Sequence, residues 1–230
     1  MVQGELGTVL VTGGASGLGA AVADAVAAAG GAPVVLDRAV PPVPVEHVLV
    51  DLVDTEAAEE AVRAVADRPG GLSAVVAAAG VDSCGRLDEV PTEAWERVVK
   101  VNLLGTAAVV RAALPALERS GGKVVTVAST LGLRAFSDAT AYCASKFGVV
   151  GFTRALAAET AGRVGVTLLI PGGMHTAFFD GREPRYQPPP DAKLNRPQDV
   201  AETVMFALTQ PPGCELREVV VCPSMETSWP

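Results

Sequence analysis

The stretch TVLVTGGASGLGAAVADAVAAAGGAPVVLD, Thr8 to Asp37, decides the fold. A β-branched run, TVLVT, leads directly into Gly13, Gly17 and Gly19, then into an alanine-rich amphipathic stretch. A second β-branched run, PVVLD, follows and closes on an acid. Strand, glycine turn, helix and strand in that order make a parallel unit with its helix packed on the sheet. Glycines at a strand-to-helix turn let backbone amides approach a pyrophosphate, and the helix behind them presents its positive end to the anion. The spacing is G-x-x-x-G-x-G, not the commoner G-x-G-x-x-G, and such a turn by itself also fits a simple tight bend. The context favours the dinucleotide: Asp37, about twenty residues on, sits where a carboxylate accepts hydrogen bonds from adenosine ribose hydroxyls. Asp51, closing HVLVD, reads either as an adenine-side contact together with Leu52 or as a solvated strand-end acid.

Outward from this unit the pattern repeats. Apolar runs at SAVVAAA, KVVTVAS, VTLLI and EVVVC alternate with helical stretches. The expected architecture is α/β: a Rossmann-type, doubly wound parallel sheet of about seven strands with helices on both faces. A length of 230 residues fits one domain, 1–230. The long irregular stretch Gly172 to Arg196, with prolines clustered in YQPPPDAKLNRP, predicts a substrate-binding lid at 173–196. Two helical candidates, Leu103 to Leu117 and Tyr142 to Ala158, are apolar nearly all round, so both sides need cover. One side lies on the sheet; the other meets a second subunit or lies deep in the domain.

Composition excludes several classes. The apolar runs fall short of a membrane span, and Met1 to Gly7 lacks the basic start and apolar core of a secretory leader, which predicts a cytoplasmic chain with no membrane association. Cys84, Cys143, Cys214 and Cys222 lack paired metal spacing, and neither His47 nor His175 has a second ligand type nearby, so no metal is expected. A net charge of −8 without a basic cluster argues against nucleic acid and leaves a small-molecule substrate.

In AYCASKFGVVGF, Ala141 to Phe152, Tyr142 and Lys146 stand four apart. On a helix they share a face, bringing a phenol to a cation. With TGGASGLG, Asn102 in KVNLLG, and Ser129 in VVTVAST thirteen residues before the tyrosine, the chain resembles the short-chain dehydrogenase/reductase family in its shorter branch. The resemblance implies an oxidoreductase transferring a hydride between NAD and a secondary alcohol or ketone, and a homotetramer. It makes Tyr142 the general acid/base. A free phenol has a pKa of roughly 10, and each unit of depression needs about 1.4 kcal/mol in favour of phenolate; Lys146 supplies positive charge toward that. Ser129 would hold the substrate oxygen, Lys146 would also bind the nicotinamide ribose, and Asn102 would anchor a proton-relaying water.

The implied cofactor contacts are Gly13, Ser16, Gly17, Leu18 and Gly19 at the turn, Asp37, Asp51 and Leu52 on the adenosine side, and Ala79 and Gly80 after the fourth strand. Pro171, Gly172, Met174 and Thr176 in IPGGMHT resemble the segment that meets the nicotinamide. Two departures stand out. AAAG, Ala77 to Gly80, replaces the family's NNAG and loses side-chain bonds that steady the sheet, and the ending REVVVCPSMETSWP replaces a glycine-rich one. Asp37 favours NAD over NADP, and Ala15 and Ser16 offer no counter-charge to a 2′-phosphate, whereas Arg38 could bind one. Substrate walls are expected at Val81 to Cys84, Leu131 to Phe136 and Met174 to Tyr186. Phe178, Phe179 and Tyr186 favour an apolar substrate, and Arg134, Arg182 and Arg185 could meet a carboxylate or phosphate but read first as solvated. The rival readings are an oxoacyl-thioester reductase and a non-catalytic NAD-binding protein.

Overall fold

A computed structural model describes residues 6–228, so most of the Met1 to Gly7 segment and the last two residues of the C-terminal stretch lie outside the described residues. The strands are β1 (Thr8–Thr12), β2 (Ala32–Asp37), β3 (Glu46–Leu49), β4 (Ala74–Ala77), β5 (Lys123–Val127), β6 (Gly165–Pro171) and β7 (Glu218–Val221). They form one sheet in the order β3-β2-β1-β4-β5-β6-β7, parallel throughout. The helices are α1 (Gly17–Ala28), α2 (Thr55–Ala66), α3 (Thr92–Val99), α4 (Thr106–Ser120), α5 (Thr140–Glu159) and α6 (Pro197–Leu208). The expected doubly wound sheet of seven strands is the architecture found.

The period of two along each strand splits the core into two layers. In β1, Val9 and Val11 pack with Val22 and Val26 of α1 and Val200 and Val204 of α6. Leu10, pointing the other way, packs with Val62 and Val65 of α2 and Val109 and Ala113 of α4. All of these side chains are fully buried, each valine or leucine contributing about 1.5–3 kcal/mol. The helix ends are closed locally. Asp54 accepts from the Ala57 amide at the start of α2, and Gly121, at φ 62°, terminates α4 in the left-handed conformation. Lys123 in β5 donates to the carbonyls of Ala207, Leu208 and Gln210, closing the negative end of α6.

Three expected boundaries move. The helix expected at Leu103 runs continuously from Thr92 to Ser120, 29 residues including a π-helical turn at Lys100–Gly105. By length and composition it is long and apolar enough to cross a membrane, contrary to the reading of the apolar runs, yet half of its most apolar window is buried in the fold; a covered core helix passes the same test. The second apolar helix starts at Thr140, placing Tyr142 in its first turn. β3 ends at Leu49, before Asp51, because the chain turns there: Asp51 accepts from the Val53 amide, and its carbonyl accepts from the Asp54 amide.

Candidate active site

The candidate residues gather at the carboxyl ends of β1, β2, β4, β5 and β6, where an open parallel sheet leaves a crevice. At the β1–α1 turn Gly13 has φ +71°, and a Cβ there would stand 2.7 Å from the Ala79 Cα; one at Gly19 would stand 2.3 Å from the Gly13 carbonyl oxygen. Backbone crossing backbone this closely admits only glycine. Ser16 caps α1 in an extended conformation without a side-chain bond to the first-turn amides, which leaves them for an anion. Asp37 lies against the same turn, accepting from the amides of Ala15 and Ala39, both at 3.0 Å.

Past the end of β3, Asp51 is paired with Arg97 at 2.8 Å, and Leu52 is buried beneath Gly105 of the π turn. Burial alone would raise the Asp51 carboxyl, but the bonds from Arg97 and the Val53 amide outweigh it and hold it below its ordinary value. Arg97 is a partner that the sequence did not disclose. At the β4 end, the bonds that AAAG cannot make are supplied from elsewhere. Thr12 accepts from the Ala79 amide at 3.1 Å, while Asn102, fully buried, accepts from the Val81 amide and donates to the Val81 carbonyl and to Ser145. The Asn102 side chain is therefore a clamp on the Gly80–Val81 loop, with its polar groups engaged by protein.

Ser129 lies two residues past the end of β5, its hydroxyl accepting from the Leu131 amide at 3.1 Å, and is 8% exposed. Tyr142 and Lys146 share the inner face of α5, the Lys146 Nζ 5.7 Å from the phenol ring centroid. Lys146 is 3% exposed and donates to the Val127 carbonyl at 2.8 Å. Burial lowers its pKa to about 8, opposed by the Asp82 charge. Burial also pushes the Tyr142 phenol well above its ordinary value, with Ser129 pulling it back and Asp82 adding to the rise. After β6, Gly172 donates to the Val221 carbonyl, and the Thr176 side chain lies against Gly17 of the glycine turn.

The segment 173–196 is pinned at its base by two bonds, from the Asn195 amide to the Gly173 carbonyl and from the His175 amide to the Asn195 carbonyl. Within its own folds opens a cleft of about 540 Å³, lined by segment residues including Met174, Thr176, Phe179 and Leu194. Phe178 lies over Tyr142, ring centroids 5.6 Å apart. Arg182 corrects the expectation of a solvated arginine. Its guanidinium is 4.5 Å and 4.8 Å from the Phe178 and Phe179 ring centroids, its side chain is 15% exposed, and it pairs with Asp82 at 3.1 Å. Arg134 and Arg185 stay exposed, stacked on Phe136 and Tyr186.

The cost of burying Lys146 is measurable. Between about 8 and the ordinary 10.5 the unfolded chain binds a proton that the native state does not, so native stability rises with pH across that window and carries the full penalty below it. The gap is worth roughly 3 kcal/mol, offset in part by about 1 kcal/mol for the hydrogen bond to Val127. Lys146→Met is expected to raise the melting temperature at pH 7 by several degrees and to lose that gain near pH 10, as measured by thermal denaturation without cofactor. A lower melting temperature at pH 7 would show that the ammonium is net stabilising.

Residues 7–187 match the model of the short chain dehydrogenase family. The chain belongs to that family. This short-chain dehydrogenase is 34% identical over 181 residues to an oxidoreductase of Staphylococcus aureus strain MW2, covering 78% of this chain and 76% of the relative. Its fold is similar to that of an alcohol dehydrogenase from the archaeon Thermococcus sibiricus, solved with 5-hydroxy-NADP, at 28% identity and a TM-score of 0.84 over 94% of this chain and 96% of that one. A Beutenbergia cavernae protein solved with NADP at low occupancy is 30% identical, with a TM-score of 0.81 over 96% and 95% of the two chains. The chain is thus an oxidoreductase of the short-chain type, in a family that uses nicotinamide cofactors and acts on small molecules.

Proposed function

We propose that this short-chain dehydrogenase moves a hydride between NAD(H) and a secondary alcohol or ketone, with Tyr142 exchanging the hydroxyl proton. The observation that carries the reading is the buried ammonium of Lys146 on the face shared with Tyr142, 5.7 Å from its ring centroid. A cation held in a dry site at a cost to stability marks a functional position. The nicotinamide, when bound, supplies the hydride acceptor or donor. The residues present fit such a cofactor: a glycine turn that a Cβ at Gly13 or Gly19 would disrupt, first-turn amides on α1 that the Ser16 side chain does not cap, and Asp37 fixed beside them.

In this reading Tyr142 takes the hydroxyl proton during oxidation and returns it during reduction. Ser129 hydrogen-bonds the same substrate oxygen and holds it against the phenol. Lys146 favours the phenolate by its charge. Asn102 holds the Gly80–Val81 loop in place, and the lid at 173–196 excludes water through Phe178. The test is incubation with NAD and a panel of secondary alcohols, following absorbance of the reduced ring; NAD binding without turnover of any of them would favour a cofactor-binding protein without activity. NADP use is the second reading, supported by the cofactors in the two solved relatives and by Arg38 beside Asp37.

The chain is further proposed to form a homotetramer. Leu104 and Phe147 are 48% and 46% exposed, and on α5 the small residues Ala144, Gly151 and Ala155 extend the same outward stripe. Such a face allows close helix packing between copies. Light scattering at micromolar concentration is expected to give four times the chain mass; a monomer would overturn this assembly.

A further inference from the structure

The stretch Cys222–Ser228 leaves β7 and folds back over the ends of β5 and β6. Glu226 accepts from the Gly173 amide at 2.9 Å through one carboxylate oxygen. Through the other it accepts from the amide and the hydroxyl of Ser228, at 3.0 Å and 2.7 Å. The Ser228 hydroxyl also meets the Thr130 hydroxyl at 2.6 Å, and both residues are buried. An ionised carboxylate only accepts, so Ser228 donates to Glu226 and Thr130 donates to Ser228. One side chain thereby ties together the two loops that follow β5 and β6, one beginning at Ser129 and the other at Pro171–Gly172.

The absence of a side chain at Gly172 makes room for this carboxylate: a Cβ there would lie 2.4 Å from the Glu226 oxygen and 3.1 Å from Pro223. The amides that follow are divided among different partners. Gly173 donates to Glu226 and His175 to the Asn195 carbonyl, while the Met174 amide donates to no protein acceptor among the described residues.

We propose that Glu226 is a positioning residue for the nicotinamide end of the cofactor site: it fixes Gly173 so that the Met174 amide points, unspent, at the ligand, and through Ser228 and Thr130 it holds the Ser129 loop in register with that turn. This rests on the reading of the Pro171–Thr176 turn as the nicotinamide contact. Burial by itself would raise the Glu226 carboxyl, but the bonds from Ser228 and from the Gly173 amide hold it below its ordinary value, so the acceptor stays charged at neutral pH and the bonds to it are strong ones.

The test separates the two ends of the cofactor. Wild type, Glu226→Ala and Glu226→Gln are titrated calorimetrically with NAD and, separately, with ADP-ribose, which has the adenosine and pyrophosphate but no nicotinamide. Glu226→Ala is expected to weaken NAD by about tenfold while ADP-ribose changes by less than about twofold. Glu226→Gln, which keeps an acceptor for Gly173, should fall between Glu226→Ala and wild type. Equal losses for both ligands, or no loss for either, would overturn the proposal. If the alanine variant does not fold, the ratio of NAD to ADP-ribose affinity in the glutamine variant decides in the same way. A wild type that binds neither ligand would instead overturn the proposed function on which this rests.

Discussion

Tyr142→Phe is expected to lower kcat/KM by about 10²- to 10⁴-fold, the usual worth of a general acid/base group, while leaving NAD affinity and fold unchanged. The substitution keeps the ring, and with it the contact to Phe178 and the packing over Lys146, and removes only the hydroxyl proposed to exchange the proton. The surroundings set the direction of the pH dependence. Burial raises the phenol above its ordinary value and lowers Lys146 to about 8, so without ligand the phenol is protonated at neutral pH while Lys146 is mostly charged. Alcohol oxidation needs the phenolate and should therefore speed up with rising pH, while ketone reduction should slow. Lys146→Met removes the charge that favours phenolate, and its oxidation profile is expected to inflect at higher pH than wild type. Tyr142→Phe retaining more than about a tenth of the wild-type rate would refute this assignment, against the factor of a hundred or more that such groups supply.

The wild type is expected to prefer NAD over NADP by at least about tenfold in kcat/KM, equivalent to about 1.4 kcal/mol, and Asp37→Ser to narrow or reverse that preference. Both Asp37 oxygens accept a backbone amide, from Ala15 and Ala39, so the carboxylate cannot easily swing aside. Each oxygen keeps acceptor capacity for a ribose hydroxyl. A 2′-phosphate would instead meet a fixed like charge, with repulsion of roughly 4 kcal/mol per charge pair at about 4 Å before screening reduces it. Ala15 and Ser16 supply no counter-charge, and Arg38, exposed beside Asp37, would have to. Because Asp37→Ser also loosens its tie to the Ala15 amide, both cofactors will bind less well, and the ratio between them is the quantity to read. Equal use by the wild type, or an unchanged ratio in the mutant, would show that Asp37 does not select the cofactor. The solved relatives that hold NADP or its 5-hydroxy form make this the experiment that separates the chain from them.

What the sequence by itself determined is local in origin. The strand, glycine turn and helix at Thr8–Ala28 follow from period and backbone sterics within a few residues, and the shared face of Tyr142 and Lys146 follows from the pitch of one helix. The doubly wound parallel sheet then follows from repeating such units, which bury both faces of every strand between helices. Tertiary structure alone decided which charged side chains meet. Arg182 finds Asp82 from a hundred residues away, Arg97 finds Asp51, and Glu226 reaches Gly173 across a C-terminal stretch whose composition marks no site. It also decided how the loop after β4 is held, by Thr12 at Ala79 and by Asn102 at Val81. No periodicity records such pairs, because each depends on where two distant loops come to rest. An arginine in a proline-rich loop reads the same whether it ends in water or packed against two phenylalanines, and only the closing of the loop over a particular carboxylate settles which desolvation and which attraction it feels.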